Sequence, residues 1–117
     1  MCVGSGVRDM KILLKKPGEA AVFTEIDNEL AALQKAVGGY IETVRVCEDL
    51  VLVCNEEGLM NDMPFNVRIG NLQLFGPVFL CGVCFGDDGE EVFCDVPMEE
   101  AGAHVMFPQF FPEGDEE

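Results

Sequence analysis

Apolar and polar positions along this chain fall into short runs separated by turn residues, a spacing that predicts strands more often than helices. The run Met10–Lys16 (MKILLKK) reads as a first strand and Ala21–Ile26 as its return, with Pro17-Gly18 supplying the turn: proline presets a negative φ and glycine accepts a positive one. The spacing then changes. Leu30, Leu33 and Val37 fall at i, i+3 and i+7, which predicts a main helix over about residues 28–37, with Asp27 as N-cap and Gly38 as the C-terminal stop. Tyr40–Val46 and Leu50–Cys54 predict a second hairpin around the acidic turn Glu48-Asp49.

No period persists from Leu59 to Asn71, and that stretch is expected to be a long ordered loop. Leu72–Phe85 is apolar enough for a buried strand, broken at Gly76-Pro77, and Asp88-Gly89 turns it back into Glu91–Val96. Pro97 after Asp95 predicts one short helical turn through Ala101, and the ending FPQFFPEGDEE reads as tail rather than core. The expected architecture is therefore α+β: a mixed or mainly antiparallel sheet of about six strands, one main helix packed on it and one short C-terminal helical turn. The expected organisation is a flexible leader over 1–9, a single domain over 10–103 and an acidic aromatic tail over 104–117, with Met10 as a second candidate start.

Composition sharpens this picture. A chain of 117 residues, 49% of them hydrophobic, suffices for one core and is far from the composition of disordered proteins. The net charge of −15 is lopsided: residues 1–47 hold six bases and six acids, whereas residues 48–117 hold sixteen acids against the single base Arg68. Such a field repels nucleic acid, so direct DNA or RNA binding is not expected. No apolar segment reaches the roughly 18 residues of a membrane span, and the start MCVGSGVRDM lacks the apolar stretch of a signal peptide, so a cytoplasmic protein with reduced thiols is expected. Cys47, Cys54, Cys81 and Cys84 lie in or beside apolar runs, where free cysteine acts as a small buried hydrophobe.

Candidate catalytic chemistry is sparse. Cys81-Gly82-Val83-Cys84 has the CxxC spacing, but residues i and i+3 of a strand point to opposite faces, and no second CxxC accompanies it. Ser5 and His104 are the only serine and histidine, which excludes a serine triad and leaves a lone His best read as a packing or surface residue. Gly86–Glu91 (GDDGEE) lacks calcium-loop spacing and reads as a solvated hairpin turn, and Gly4-Ser5-Gly6 lacks the strand and helix of a dinucleotide fingerprint. No cofactor, no metal and no enzymatic activity are expected. The polar residues Tyr40, Glu42, Arg45, Asn55, Glu56 and Asn66 instead interrupt the apolar scaffold at a helix exit, a strand end and a loop, where such groups either cap the backbone or converge on a small polar ligand.

MKILLKKPGE, the helix LAALQKAVGGYIE and LVLVCNEEGLMNDMPFN together resemble domain-of-unknown-function family 3846, over about Met10 to Ala101. The family is found in phages, plasmids and bacteria, so the resemblance implies a small mobile-element protein of α+β type; the segment Leu80–Cys94 and the residues after Gly102 fall outside the recognised pattern. The expected role is counter-defence by sequestering a small nucleotide-derived immune signal. Tyr40 would be the stacking face, Arg45 and Arg68 the anion partners with Lys35 a weaker third, and Asn55, Glu56 and Asn66 the groups for sugar or base, beside Glu42. The competing expectations are an acidic DNA mimic or protein-binding inhibitor of a host defence enzyme, and an interaction module using the C-terminal tail. A homodimer is compatible with all three.

Overall fold

The computed structural model describes residues 9–57 and 62–111. The leader up to residue 8 with its Gly4-Ser5-Gly6, the segment 58–61 and the acidic end from residue 112 lie outside these. Five hairpin-related strands and one short partner form the main sheet: β1 (Asp9–Lys15), β2 (Val22–Asp27), β3 (Ile41–Cys47), β4 (Leu50–Asn55), β7 (Val78–Phe85) and β8 (Glu91–Cys94). The order is β2-β1-β7-β4-β3, with β8 pairing the far half of β7, and every pairing is antiparallel. β5 (Phe65–Ile69) and β6 (Leu72–Phe75) make a separate hairpin.

Side-chain alternation divides the sheet into two buried faces. Met10 and Ile12 of β1, Val51 and Val53 of β4, and Phe79 and Cys81 of β7 meet Leu33 and Val37 of helix α1 (Leu30–Val37) on one face. Leu13, Leu50, Leu52, Cys54, Val78 and Leu80 face the other way, onto Val67 and Leu74 of the β5–β6 hairpin and onto Ala103, Phe107 and Phe110 of the C-terminal segment. That segment is helix α2 (Glu100–Met106) followed by a 3-10 turn (Pro108–Phe110). All six residues of β4 are buried, which is why LVLVC reads as a continuous apolar run: both faces of this strand are covered.

The three predicted hairpins, the break at Gly76-Pro77 and the single main helix are present. Four expectations need correction. The main helix begins at Leu30, not residue 28; Asp27 closes β2 by pairing with Asp9, and Glu29 occupies the N-cap without a side-chain hydrogen bond. The expected loop over 59–71 contains β5, whose register against β6 slips between Phe65 and Val67; that irregularity, with the intervening Asn66, hides the two-residue period. The C-terminal helix starts three residues beyond Pro97 and runs past Ala101 to Met106. Finally, Phe107 and Phe110 are core, the latter fully buried, and the carbonyl of Phe110 accepts a 2.8 Å hydrogen bond from the Ala21 amide.

The cysteines also divide. Cys54 and Cys81 are buried as expected, but Cys47 and Cys84 are exposed, Cys47 beside the Glu48-Asp49 turn and Cys84 near the end of β7. Burial, and secondarily the Glu42 carboxylate, pushes the Cys54 thiol up to about 11; burial, and secondarily Cys94, pushes Cys81 up to about 12, from an ordinary value of 9.0. In the unfolded chain these thiols ionise near their ordinary value, so above it the unfolded state has released protons that the folded state retains. Their contribution to stability is therefore complete below about pH 9 and declines as the pH rises toward 11 to 12. A denaturant midpoint that falls steadily across that interval is expected, and Cys54→Ala/Cys81→Ala should flatten the decline.

Candidate functional site

The Asn55 end of the main sheet gathers three of the seven candidate residues. β3 and β4 pair in a register that sets Ile41 opposite Asn55 and Glu42 opposite Cys54, and the Glu56 amide donates to the Tyr40 carbonyl at 2.8 Å. By alternation Glu42 and Val44 of β3 and Cys54 of β4 share the face toward the β5–β6 hairpin. Strand β6 closes over them, leaving a notch of about 140 Å³ walled by Val44, Leu72, Leu74 and Phe75, with Glu42, Asn55 and Glu56 as its polar members alongside Gln73. Tyr40, two residues before Glu42, is 68% exposed and does not itself line the notch; its backbone carbonyl holds the Glu56 amide.

Asn55 has a structural task there. Its amide donates to the Val37 carbonyl at 3.1 Å, satisfying an otherwise orphaned acceptor in the last turn of α1, and its Oδ1 accepts from the Glu57 amide at 2.7 Å. Gly38 ends the helix in the left-handed conformation at φ 82°, and its amide donates to the Gln34 carbonyl. The Gly39 position is close to Asn55 as well: a Cβ there would sit 2.8 Å from Asn55 Nδ2. This is the physical content of the GGY segment followed by Asn55: the glycines let the helix end lie against the asparagine that caps it.

The other candidates go elsewhere. Arg45 belongs to the opposite face, since it is three residues from Glu42 in a strand; both Glu91 carboxylate oxygens accept from its Nη2 at 2.8 Å, and its Nη1 donates to the Glu48 carbonyl. With both partners about half exposed, this pair contributes at most about 1 kcal/mol. Arg68, on the exposed side of β5, donates from Nε to the Gly70 carbonyl and does not line the notch. Asn66 is buried against β1: its Oδ1 accepts from Lys15 Nζ at 2.9 Å, while its amide donates to the Lys15 and Gly76 carbonyls at 2.8 and 2.7 Å.

Lys15 was not singled out by sequence reasoning. It lies at the end of MKILLKK, where a lysine reads as a solvated strand end, yet it is only 1% exposed. The period of two was the available signal, because Lys15 is on the same face as Leu13. His104 stacks on Phe111 with ring centroids 3.7 Å apart and has Glu100 at 3.9 Å, so its ring packs the C-terminal segment, and among the described residues no thiol pairs with it. Cys81 and Cys84 point to opposite faces, as the CxxC spacing on a strand requires, one buried under α1 and the other exposed. Among the described residues no group of three or more His, Cys, Asp or Glu is placed to hold a metal ion, and no helix is long and apolar enough to cross a membrane.

A mainly antiparallel sheet covered by one helix on one face and by a hairpin plus a C-terminal helix on the other, with an acidic notch at one end, defines the chain as a small α+β protein. Residues 10–106 match the family described as Domain of unknown function (DUF3846), and the chain belongs to that family. The match extends over Leu80–Cys94 and into α2, beyond the stretch that carried the resemblance in the sequence. No curated protein and no solved structure matches the chain.

Proposed function

We propose that this chain is a non-enzymatic binding protein whose notch between β3, β4 and β6 holds a cationic side chain from a basic segment of a protein partner. The observation that carries this reading is the pairing of two carboxylates, Glu42 and Glu56, with apolar walls from Val44, Leu72, Leu74 and Phe75. A lysine or arginine lays its alkyl stem on such walls and offers its head to the carboxylates. Tyr40 adds an exposed aromatic face suited to a cation. Size favours one side chain over a nucleotide, since about 140 Å³ is well below the roughly 300–1,000 Å³ of small-molecule sites.

Sequestration of a nucleotide-derived signal is less well supported, because its expected anion partners, Arg45 and Arg68, stand outside the notch and its carboxylates would repel a phosphate. The net charge of −15 supports the same choice by steering a basic partner toward the protein. In the expected counter-defence setting the partner is a host enzyme whose nucleic-acid-binding surface is basic.

A lysine- and arginine-containing peptide titrated into the full chain should bind, and binding should weaken steeply with salt. Glu42→Gln/Glu56→Gln should reduce affinity by about tenfold or more, the worth of one or two charge-assisted hydrogen bonds. Arg45→Ala, on the opposite face, should leave it unchanged. Equal binding by the Glu→Gln variant, or equal binding of an acidic peptide, would refute the reading.

A further inference from the structure

The opposite end of the sheet, away from the notch, carries a second arrangement that owes nothing to ligand binding. In the β7–β8 pair Gly82 faces Cys94 and Cys84 faces Val92, so Cys84 and Cys94 are diagonal neighbours on one face. Gly82 is what brings the sulfurs together. Lacking a side chain, it leaves open the space over β7 into which Cys94 leans: a Cβ on Gly82 would stand 3.1 Å from Cys94 Sγ and would also collide with the Asp95 carbonyl. Both thiols line a single open cavity of about 420 Å³ with Val92, Phe93 and Asp95, giving a small oxidant direct access.

We propose that Cys84 and Cys94 form a reversible dithiol site that closes to a cross-strand disulfide, with a low-molecular-weight disulfide such as oxidised glutathione as oxidant. Cys84, the exposed member, attacks one glutathione sulfur as the thiolate, breaking the glutathione S–S bond and releasing one glutathione thiolate. Cys94 then loses its proton to solvent and attacks the Cys84 sulfur, expelling the second glutathione. Two protein thiols are oxidised and one glutathione disulfide is reduced to two thiols. Diagonal neighbours in an antiparallel pair stand about 7–8 Å apart at Cα, and a disulfide prefers about 5.5–6 Å, so closure requires the two Cα atoms to approach by roughly 1–2 Å through a small slide of β8 along β7. The turn between them, Gly86–Glu90, carries glycine at two positions and lets the hairpin adjust. In the reduced protein burial, and next the neighbouring Cys84, pushes the Cys94 thiol up to about 12, which leaves the first attack to the exposed Cys84 and makes Cys94 the resolving thiol. CxxC spacing directs attention to Cys81, but the partner of Cys84 lies across the hairpin.

The test uses the folded full chain incubated with oxidised glutathione, alkylated to trap remaining thiols and mapped by peptide mass spectrometry. A Cys84–Cys94 crosslinked peptide, reversed by dithiothreitol, is expected in the wild type and in Cys47→Ser. Cys94→Ser should stop at a glutathione adduct on Cys84. Wild-type protein that retains glutathione on Cys84, or that joins Cys84 to Cys47, overturns the proposal without reference to any variant's ability to fold. Because the site is at the far end of the sheet, neither result bears on peptide binding at the notch.

Discussion

Replacing Phe110 by alanine is expected to cost about 3–5 kcal/mol of folding stability, the range for removing a large aromatic side chain from a core. Phe110 is fully buried, lies 5.5 Å from the Phe107 ring between centroids, and belongs to the cluster that includes Val67, Leu74 and Ala103. Its loss opens a cavity where the β5–β6 hairpin, α2 and the main sheet meet. The loss is large against the roughly 5–15 kcal/mol that holds a domain of this size together. Urea or guanidinium unfolding should show the midpoint falling with the slope unchanged. Phe85→Ala is the matched control: that ring is 70% exposed, and its removal should move stability by about 0.5 kcal/mol or less. If the C-terminal segment were a dispensable tail, the two variants would behave alike.

Asn66→Ala should cost about 2–4 kcal/mol, because a single amide side chain serves three buried partners. Its oxygen accepts from the Lys15 ammonium, and its nitrogen donates to the carbonyls of Lys15 and Gly76. Truncation leaves those carbonyls without this donor, at roughly 1–3 kcal/mol for a buried acceptor that water does not reach. Asn66→Asp separates hydrogen bonding from charge. It preserves the attraction to Lys15 but places a carboxylate oxygen against two carbonyl oxygens 2.7–2.8 Å away, so it too should destabilise at neutral pH. An Asp variant as stable as the wild type would show that attraction to the lysine, and not the amide's donors, holds the hairpin to β1. The neighbouring backbone is equally exacting: Gly76 has φ 82° and packs directly on Met63, so a side chain there would meet both strain and a clash.

These two residues show where local reading stops. Strands β1 to β4, β7 and helix α1 are legible in the sequence because each carries its own period and its own turn: Pro17-Gly18, Gly38, Glu48-Asp49 and Asp88-Gly89 are local signals that need no distant partner. The family resemblance is legible for the same reason, in contiguous strings. Of the candidate site, Glu42, Asn55 and Glu56 are close in space because β3 and β4 are a hairpin, so their convergence follows from sequence neighbours and register. Arg45 fails to join them by the same rule, since three residues along a strand is an odd step to the other face.

The sequence alone thus determines the α+β class, the hairpins, the helix and a charge of −15 concentrated after residue 47. Tertiary structure alone decides that β5 is a strand, that Phe107 and Phe110 are core, that Lys15 is buried beside Asn66, and that Cys84 has Cys94 as its diagonal neighbour on the same face while Cys81 points to the other. The reason is common to all four. Each depends on contacts between separate segments, whether across a hairpin, as for β5 with β6 and β7 with β8, or over long stretches of chain, as for Lys15 with Asn66 and Ala21 with Phe110, and where a residue is buried the covering segment confers it, not any period in the covered one.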